Sequence, residues 1–392
     1  MRFGNLGVAL DGEWKVGGRI WIHAVSVGEV MAITGLVKKL KEKFPSYAIV
    51  CSTVTKTGSQ LAKEQLEKDC LVIYAPFDFS WIVRKFIRTI KPKIYISTET
   101  EIWPNLYSAL HKNGIPIIQI NGRISDRAFR GYSRVRFLTK RILACVNIFC
   151  MQSRLDADRI QRLGAALEKV RVVGNLKFDI LPETTEIKKT DLGFREDQTL
   201  LIAGSTHAGE EDIILWAYQT LVKEFPRLRL AIAPRHVERT ESVIKIIEGF
   251  GYRAVKFSEA QKGIGDSRSV MVVDTIGHLR SLYSLAAIVF IGKSFAVGGG
   301  QNMIESAWAG KPTIVGPLTQ NFKDAVDIFV RSDALIQVAD AEELLTEMRN
   351  LLKDSNRARE IGKVAKQTVS QYQGATIKTV HAIEEILNRH KS

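Results

Sequence analysis

Short apolar runs recur along this chain, each followed by a polar loop and then by a stretch with helical spacing of its apolar positions. Residues 20–25, 48–52, 71–74, 94–97, 116–120, 148–151 and 170–173 are such runs in the first half. Residues 200–203, 230–233, 270–273, 286–291 and 313–315 continue the series in the second half. Apolar runs of this length, alternating with helical patterns, predict βαβ units and parallel sheets. A chain of 392 residues is too long for one core. The expectation is an α/β fold of two Rossmann-like domains facing a central cleft. The first covers residues 1–181, a polar linker covers 182–198, and the second covers 199–374. A final helix over residues 375–392 is placed to pack back on the first domain.

In open α/β sheets ligands bind beyond the carboxyl ends of the strands, so the polar residues just after each run are the candidates for chemistry. Ser26-Val27-Gly28-Glu29 follows the first run, and Glu29 leads a helical pattern through Val30, Ile33, Leu36, Val37 and Leu40. A glutamate there is either a ligand-facing carboxylate or an ordinary first-turn acid that favours the helix dipole. Thr98-Glu99-Thr100-Glu101 follows a later run, with Pro104 opening a helix. Asn121-Gly122-Arg123 and Gly174-Asn175-Leu176-Lys177-Phe178-Asp179 close two more. In the second half, the run at 200–203 leads into Ser205-Thr206-His207-Ala208-Gly209-Glu210-Glu211. Pro234-Arg235-His236 and Asp274-Thr275-Ile276-Gly277-His278 follow the next two runs.

The stretch 291–312 carries a strand end, the glycines Gly298, Gly299 and Gly300, and a helical pattern from about Asn302 to Gly310. Glycines let a backbone approach a phosphate, and a helix start offers N–H groups to it. Glu305, one turn inside, could accept both hydroxyls of a ribose. The alternative is a tight turn followed by a core helix, because glycine-rich loops are weak signals alone.

The formal charge of +14 asks for an anionic partner: nucleic acid, an acidic membrane or a phosphorylated substrate. No apolar run approaches the roughly 18 residues of a membrane span, and residues 1–19 hold no signal-peptide core. The four cysteines, Cys51, Cys70, Cys145 and Cys150, lack metal-type spacing and read as reduced thiols. No metal site is expected. Residues 123–141 hold seven basic side chains (Arg123, Arg127, Arg130, Arg134, Arg136, Lys140, Arg141) and one acid, Asp126. Phe129, Tyr132, Val135, Leu138 and Ile142 recur among them at roughly helical spacing. That pattern suits a helix lying on an anionic membrane, or else a plain solvated basic face. Arg84, Lys85, Arg88, Lys91 and Lys93 add to the charge of this half. Nucleic acid is not expected as a partner, because charge alone supports it and no nucleic-acid-binding motif is present.

Taken together, the segments 26–29, 99–105, 174–179, 205–211, 234–236 and 299–305 closely resemble those of the Kdo (3-deoxy-D-manno-octulosonic acid) transferases of lipopolysaccharide synthesis. The resemblance runs from about Arg2 to the carboxyl terminus. It implies the GT-B fold and a metal-independent, inverting transfer from CMP-Kdo to a phosphorylated lipid A precursor, lipid IVA, at the cytoplasmic face of the inner membrane. No cofactor is implied, CMP-Kdo being the donor substrate. The resemblance implies Glu29 as general base, with Glu99 and Lys177 as fixed charges. It places the donor at Pro234 and Arg235, at Ile276, Gly277 and His278, and at Asn302, Met303, Ile304 and Glu305. This chain departs from the family pattern at His278, Gln301 and Met303, where many relatives have glutamate, histidine and proline. The family commonly begins with an apolar anchoring helix, and residues 1–19 contain none. The alternatives are another GT-B transferase using a UDP-sugar and a basic nucleic-acid-binding protein.

Overall fold

In the computed structural model, residues 18–180, 186–262, 268–296 and 298–389 are described. The amino-terminal stretch in which no anchoring helix was expected thus lies almost wholly outside the described residues. Two compact units form: residues 1–180 together with 372–392, and residues 181–371.

The first unit is a seven-stranded parallel sheet of β1 Gly18–His23, β2 Tyr47–Thr53, β3 Leu71–Tyr74, β4 Ile94–Thr98, β5 Ile117–Gly122, β6 Ile148–Met151 and β7 Val170–Val172. Its order is β3-β2-β1-β4-β5-β6-β7. The runs are apolar at nearly every position because both faces are covered. One face packs on the helix Val27–Lys43 and on the final helix Ala375–Arg389, burying Leu36, Leu40, Ile383 and Leu387 among others. The other face is covered by the helices Ser80–Ile90, Pro104–Lys112 and Arg154–Leu163, around Trp21, Phe86, Tyr107 and Phe149. Asp179 fixes the final helix by accepting N–H bonds from Gly374 (2.7 Å) and Thr376 (2.5 Å).

The second unit repeats the plan with β8 Thr199–Thr206, β9 Leu228–Pro234, β10 Arg253–Lys256, β11 Ser269–Val272, β12 Ile288–Ile291, β13 Thr313–Val315 and β14 Ile336–Gln337. The order is β10-β11-β9-β8-β12-β13-β14, and every pairing is parallel. Neither outer strand was expected from the sequence. β10 is half-exposed with charged ends, and β14 has two residues, so neither presents an apolar run.

Both orders reverse direction beside the first strand of the unit, between β1 and β4 and between β8 and β12. At such a switch point the loops on either side of the crevice diverge and leave room for a ligand.

The basic segment differs from its expected single helix. It forms Asp126–Arg134 and Arg136–Leu143, broken at Val135. The break divides the apolar residues. Phe129 and Tyr132 are half-buried against the unit's core, and Arg162 lies 5.1 Å from the Phe129 ring centre. Val135, Phe137 and Leu138 point outward, with Phe137 74% exposed. No helix among the described residues is long and apolar enough to cross a membrane.

Candidate active site

Glu29 sits beyond the carboxyl end of β1, in the first turn of the helix Val27–Lys43. Ser26 is the N-cap and accepts from the Glu29 N–H at 3.5 Å, while the Glu29 carboxylate accepts from Val25 N (2.8 Å) and Ser26 Oγ (3.0 Å). These reciprocal bonds make a variant of the capping box. Glu29 therefore has a structural role as well as a position at the switch point. The residue is 5% exposed. Burial, then the charges of Glu99 and Glu101, push its carboxyl up to about 8, against the lowering effect of the Val25 and Ser26 bonds. A carboxyl tuned to that range can take a proton near neutral pH, which is what a general base requires.

Glu99 lies across the crevice, just after β4. Its φ of 55° is left-handed, which a glutamate rarely adopts. Its N–H donates to Ile120 O at 2.9 Å and its carbonyl accepts from the Gln119 side chain. Asn121 also has a left-handed φ, 51°, where the β5–β6 register shifts between Gln119 and Gly122. That irregularity turns Asn121 so that Oδ1 accepts from Leu176 N at 3.0 Å. Asn175 Oδ1 accepts from Lys177 N at 3.0 Å. The two amides fix the short turn Leu176–Asp179, and Lys177 Nζ comes to 3.8 Å from Glu99 Oε1. Such backbone outliers cluster at functional edges, where surrounding bonds hold them. The structure thus groups Glu29, Glu99, Glu101 and Lys177. The sequence singled out Glu101 only as part of the polar stretch after this strand, without a role of its own. Its carboxylate accepts from Trp103 Nε1 at 3.1 Å, and burial followed by the Glu99 charge raises its pKa.

The second unit has its own constellation. Ser205 and Lys293, at the ends of β8 and β12, are left-handed, with φ of 56° and 59°. The two strand ends approach so closely that a Cβ at Gly292 would collide with Ser205 O and the Glu210 carboxylate. Glu210 is fully buried and joins them. Oε1 accepts from Ser294 N (2.7 Å) and Phe295 N (3.0 Å), and Oε2 from His207 N (2.9 Å) and Lys293 N (2.7 Å). Glu211, equally buried, pairs through both oxygens with Arg239 at 2.7 and 3.1 Å and accepts from Thr206 Oγ1 at 2.8 Å. The two acids therefore build the loop rather than line it. The sequence hinted at this only as an acidic first turn.

Pro234 ends β9 and Arg235 is exposed beside it, its N–H donating to Thr206 O at 3.0 Å. His236 meets the edge of His207, with ring centres 5.9 Å apart. Burial lowers the pKa of His207. Ile276 is 82% exposed, Gly277 has φ 94°, and His278 lies 4.9 Å from the Phe257 ring centre. Arg280, which the sequence did not single out, stands 3.0 Å from Glu305 Oε1. Asn302 Nδ2 donates to the same oxygen at 3.1 Å, and its Oδ1 accepts from Ile304 N at 3.1 Å. This ties the helix Leu279–Tyr283, which follows the 276–278 turn, to the segment 302–305, in which Met303 is buried.

The glycine loop does not present its amides as expected. Gly299 N donates to Leu318 O (3.0 Å) and Gly300 N to Lys293 O (2.7 Å). The positive φ values of Gly298, Gly299 and Gly300 serve to fold the loop back on itself, so those two amides are not free for a phosphate. The helix that follows is only Ile304–Trp308.

Known proteins place this architecture. A family model described as 3-deoxy-D-manno-octulosonic-acid transferase (kdotransferase) matches residues 2–180. The 3-deoxy-D-manno-octulosonic acid transferase of Haemophilus influenzae is 29% identical over 95% of this chain and 88% of its own length. That of Bordetella pertussis is 29% identical over 98% of this chain and 91% of its own. A bifunctional glycosyltransferase/methyltransferase of Fusobacterium nucleatum is 35% identical over 87% of this chain, which spans 54% of it. Among solved structures, a glycosyltransferase from Rickettsia africae superposes with a TM-score of 0.62 at 14% identity, covering 95% of this chain and 99% of that one. MurG of Acinetobacter baumannii gives 0.59 at 13%, covering 94% and 99%. At such identities these neighbours establish the fold alone, and it is GT-B. With paired Rossmann-like units of that fold, this chain is a glycosyltransferase, similar along nearly its whole length to the 3-deoxy-D-manno-octulosonic acid (Kdo) transferases, whose family model matches its residues 2–180.

Proposed function

We propose that the protein transfers Kdo from CMP-Kdo to a phosphorylated lipid A precursor, lipid IVA, in lipopolysaccharide biosynthesis, with inversion and without a metal ion. The observation that carries this reading is Glu29, a carboxyl buried at a switch point and raised to about 8. As the acceptor hydroxyl attacks the anomeric carbon of Kdo, its proton passes to Glu29. The new carbon–oxygen bond forms as the bond to the CMP phosphate breaks, and CMP leaves from the opposite face. Positive charge grows on the sugar and negative charge on the departing phosphate. The fixed pair Glu99 and Lys177 offers both signs beside Glu29, and preorganised charges of this kind lower a barrier. On the second unit the donor would lie against Pro234 and Arg235, the 276–278 turn and the segment 302–305. Arg235 is exposed and suited to the single phosphate of CMP. Glu305 retains the role of sugar-hydroxyl acceptor, held in place by Arg280 and Asn302.

The acceptor's lipid nature fits the outward-facing basic helices. Arg127, Arg130 and Arg134 are exposed around Val135, Phe137 and Leu138, as a segment resting on an anionic membrane would need. The enzyme would work at the cytoplasmic side of the inner membrane, peripheral or anchored. Incubation with CMP-Kdo and tetraacylated lipid A precursor, read by mass spectrometry, tests the reading. Wild type should add one or more Kdo increments, and Glu29→Gln almost none. Equal product from both would remove Glu29 as the base, and no product from wild type would remove the proposed substrates.

A further inference from the structure

An apolar recess of the second unit lies not at the carboxyl edge of its sheet but at the opposite one. A cavity of about 670 Å³ opens where β8, β9, β12 and β13 begin, at Thr199, Leu228, Ile288 and Pro312. Its apolar wall includes Phe225, Leu228, Ala287, Leu351 and Leu352, while Arg227, Lys311 and Arg359 give it a basic side. Among the described residues one acid lines it, Glu224, and that is already paired with Arg349 at 3.0 Å. Gly310 and Arg359 also line an adjoining recess of about 860 Å³, whose other charged walls among the described residues are Lys363, 3.5 Å from Glu360, and Lys366.

The two recesses share their wall at Gly310 and Arg359. The helix Ser355–Gln371 crosses the chain at Gly310 so closely that a Cβ on Gly362 would collide with the Gly310 carbonyl. Arg359, Lys363 and Lys366 are four and three residues apart, so they share one face of that helix. They flank the segment bearing Lys311. Lys311 is half-buried, and both its burial and the positive charge of Lys189 hold its pKa below the usual lysine range. A half-buried ammonium near a second lysine is stabilised by an incoming anion, which would restore its charged form.

We propose that this trough binds a phosphate-headed lipid, with an acyl segment in the apolar cavity and the phosphate against Lys311, Arg359, Lys363 and Lys366. The cavity has the size of ordinary small-molecule sites, and its split lining matches an amphiphile rather than a plain anion. Charge complementarity selects an acidic headgroup over a zwitterionic one. The site is separate from the carboxyl-edge constellation and uses none of its residues.

Calorimetric titration of the whole protein with monomeric dihexanoyl phosphatidic acid tests it, with dihexanoyl phosphatidylcholine and inorganic phosphate in parallel. Phosphatidic acid should bind at least ten-fold more tightly than either comparison ligand. Lys311→Met should weaken both phosphatidic acid and phosphate by ten-fold or more. Ala287→Leu, which fills the apolar wall, should weaken phosphatidic acid and leave phosphate unchanged. Lys366→Gln serves in place of Lys311→Met if thermal melting shows that variant unfolded. Absence of phosphatidic acid binding to wild type would overturn the proposal. So would phosphate binding as tightly as phosphatidic acid, or unaltered lipid binding in the variants.

Discussion

Lys177 Nζ lies 3.8 Å from Glu99 Oε1, and neither residue reaches that position by a regular element. Glu99 is held left-handed after β4, and Lys177 rides on a turn pinned by Asn121 and Asn175. A pair assembled from two irregular segments acts as one charged unit. Removing a single preorganised electrostatic group typically costs about 10²–10³ in kcat. Glu99→Gln and Lys177→Met should each lose that much. The double variant should lose little more than the worse single one, because each substitution already breaks the pair. Steady-state rates for the four forms decide this, and multiplicative losses would show independent roles.

The pH dependence follows from Glu29. Its carboxyl is raised to about 8, and the base must be ionised to accept a proton. The kcat/KM for the acceptor should therefore rise about ten-fold per pH unit below that value and level off above it. Glu99 and Glu101 contribute to the upward shift, so Glu101→Gln should move the break toward lower pH. A break that stays in place would assign the titration to another group.

The same group makes a stability prediction. Below the unfolded-state pKa near 4.5, Glu29 is protonated in both states and has no linkage effect. As pH rises toward 8 the unfolded chain ionises first, so folding loses stability progressively, and the loss saturates once the folded carboxyl ionises too. The shift from 4.5 to about 8 sets an upper bound of about 5 kcal/mol. Glu29→Gln, which keeps an acceptor for Val25 N, should melt higher than wild type at pH 8 and show little difference at pH 4. Parallel thermal melts across that range would expose the trade-off between activity and stability. Equal melting at both pH values would contradict it.

Glu210 tests the architecture of the other edge. Its two oxygens take four backbone N–H groups from the ends of β8 and β12. Glu210→Ala would leave those donors buried without partners, at about 1–3 kcal/mol for each one that finds no water. Glu210→Gln would turn an amide N–H₂ toward two of them. Both variants should lower the melting temperature by clearly more than an ordinary surface change does, and both should weaken CMP-sugar binding. Thermal melting with and without nucleotide separates the two effects.

The legible parts of this fold were those written in local periodicity. Twelve of the fourteen strands among the described residues coincide with the expected runs, most of them because parallel strands buried on both faces must be apolar, whereas the edge strand β7 (Val-Arg-Val) is half-exposed. β10 and β14 escaped because edge strands need no such run. At the sites, position after a strand was enough to single out Glu29, Glu99, Lys177 and Arg235. It did not reveal Arg280 or the loop-building bonds of Glu210 and Glu211, which depend on partners from distant segments. The glycine loop misled for a related reason. Glycine marks a positive φ, but not whether the amides at Gly299 and Gly300 already have carbonyl partners. The basic segment misled at Val135, where a helix break reassigns which apolar residues face outward.

That reassignment sharpens the membrane prediction. Phe129 and Tyr132 pack inward, so their loss should act on folding, whereas Phe137 and Leu138 are free to enter a lipid surface. An exposed Lys or Arg near an anionic leaflet contributes about 1 kcal/mol of attraction. Replacing Arg127, Arg130 and Arg134 together with glutamine should then weaken binding to phosphatidylglycerol-containing vesicles by roughly 100-fold. Phe137→Ala should weaken it further in a way that added salt does not mimic, because an aromatic ring inserts by the hydrophobic effect rather than by charge. Phe129→Ala should leave vesicle affinity intact and lower the melting temperature instead. Vesicle co-sedimentation at low and high salt, run beside thermal melts, separates the three behaviours. Unchanged sedimentation of the triple variant would mean that the basic helices face solvent rather than lipid.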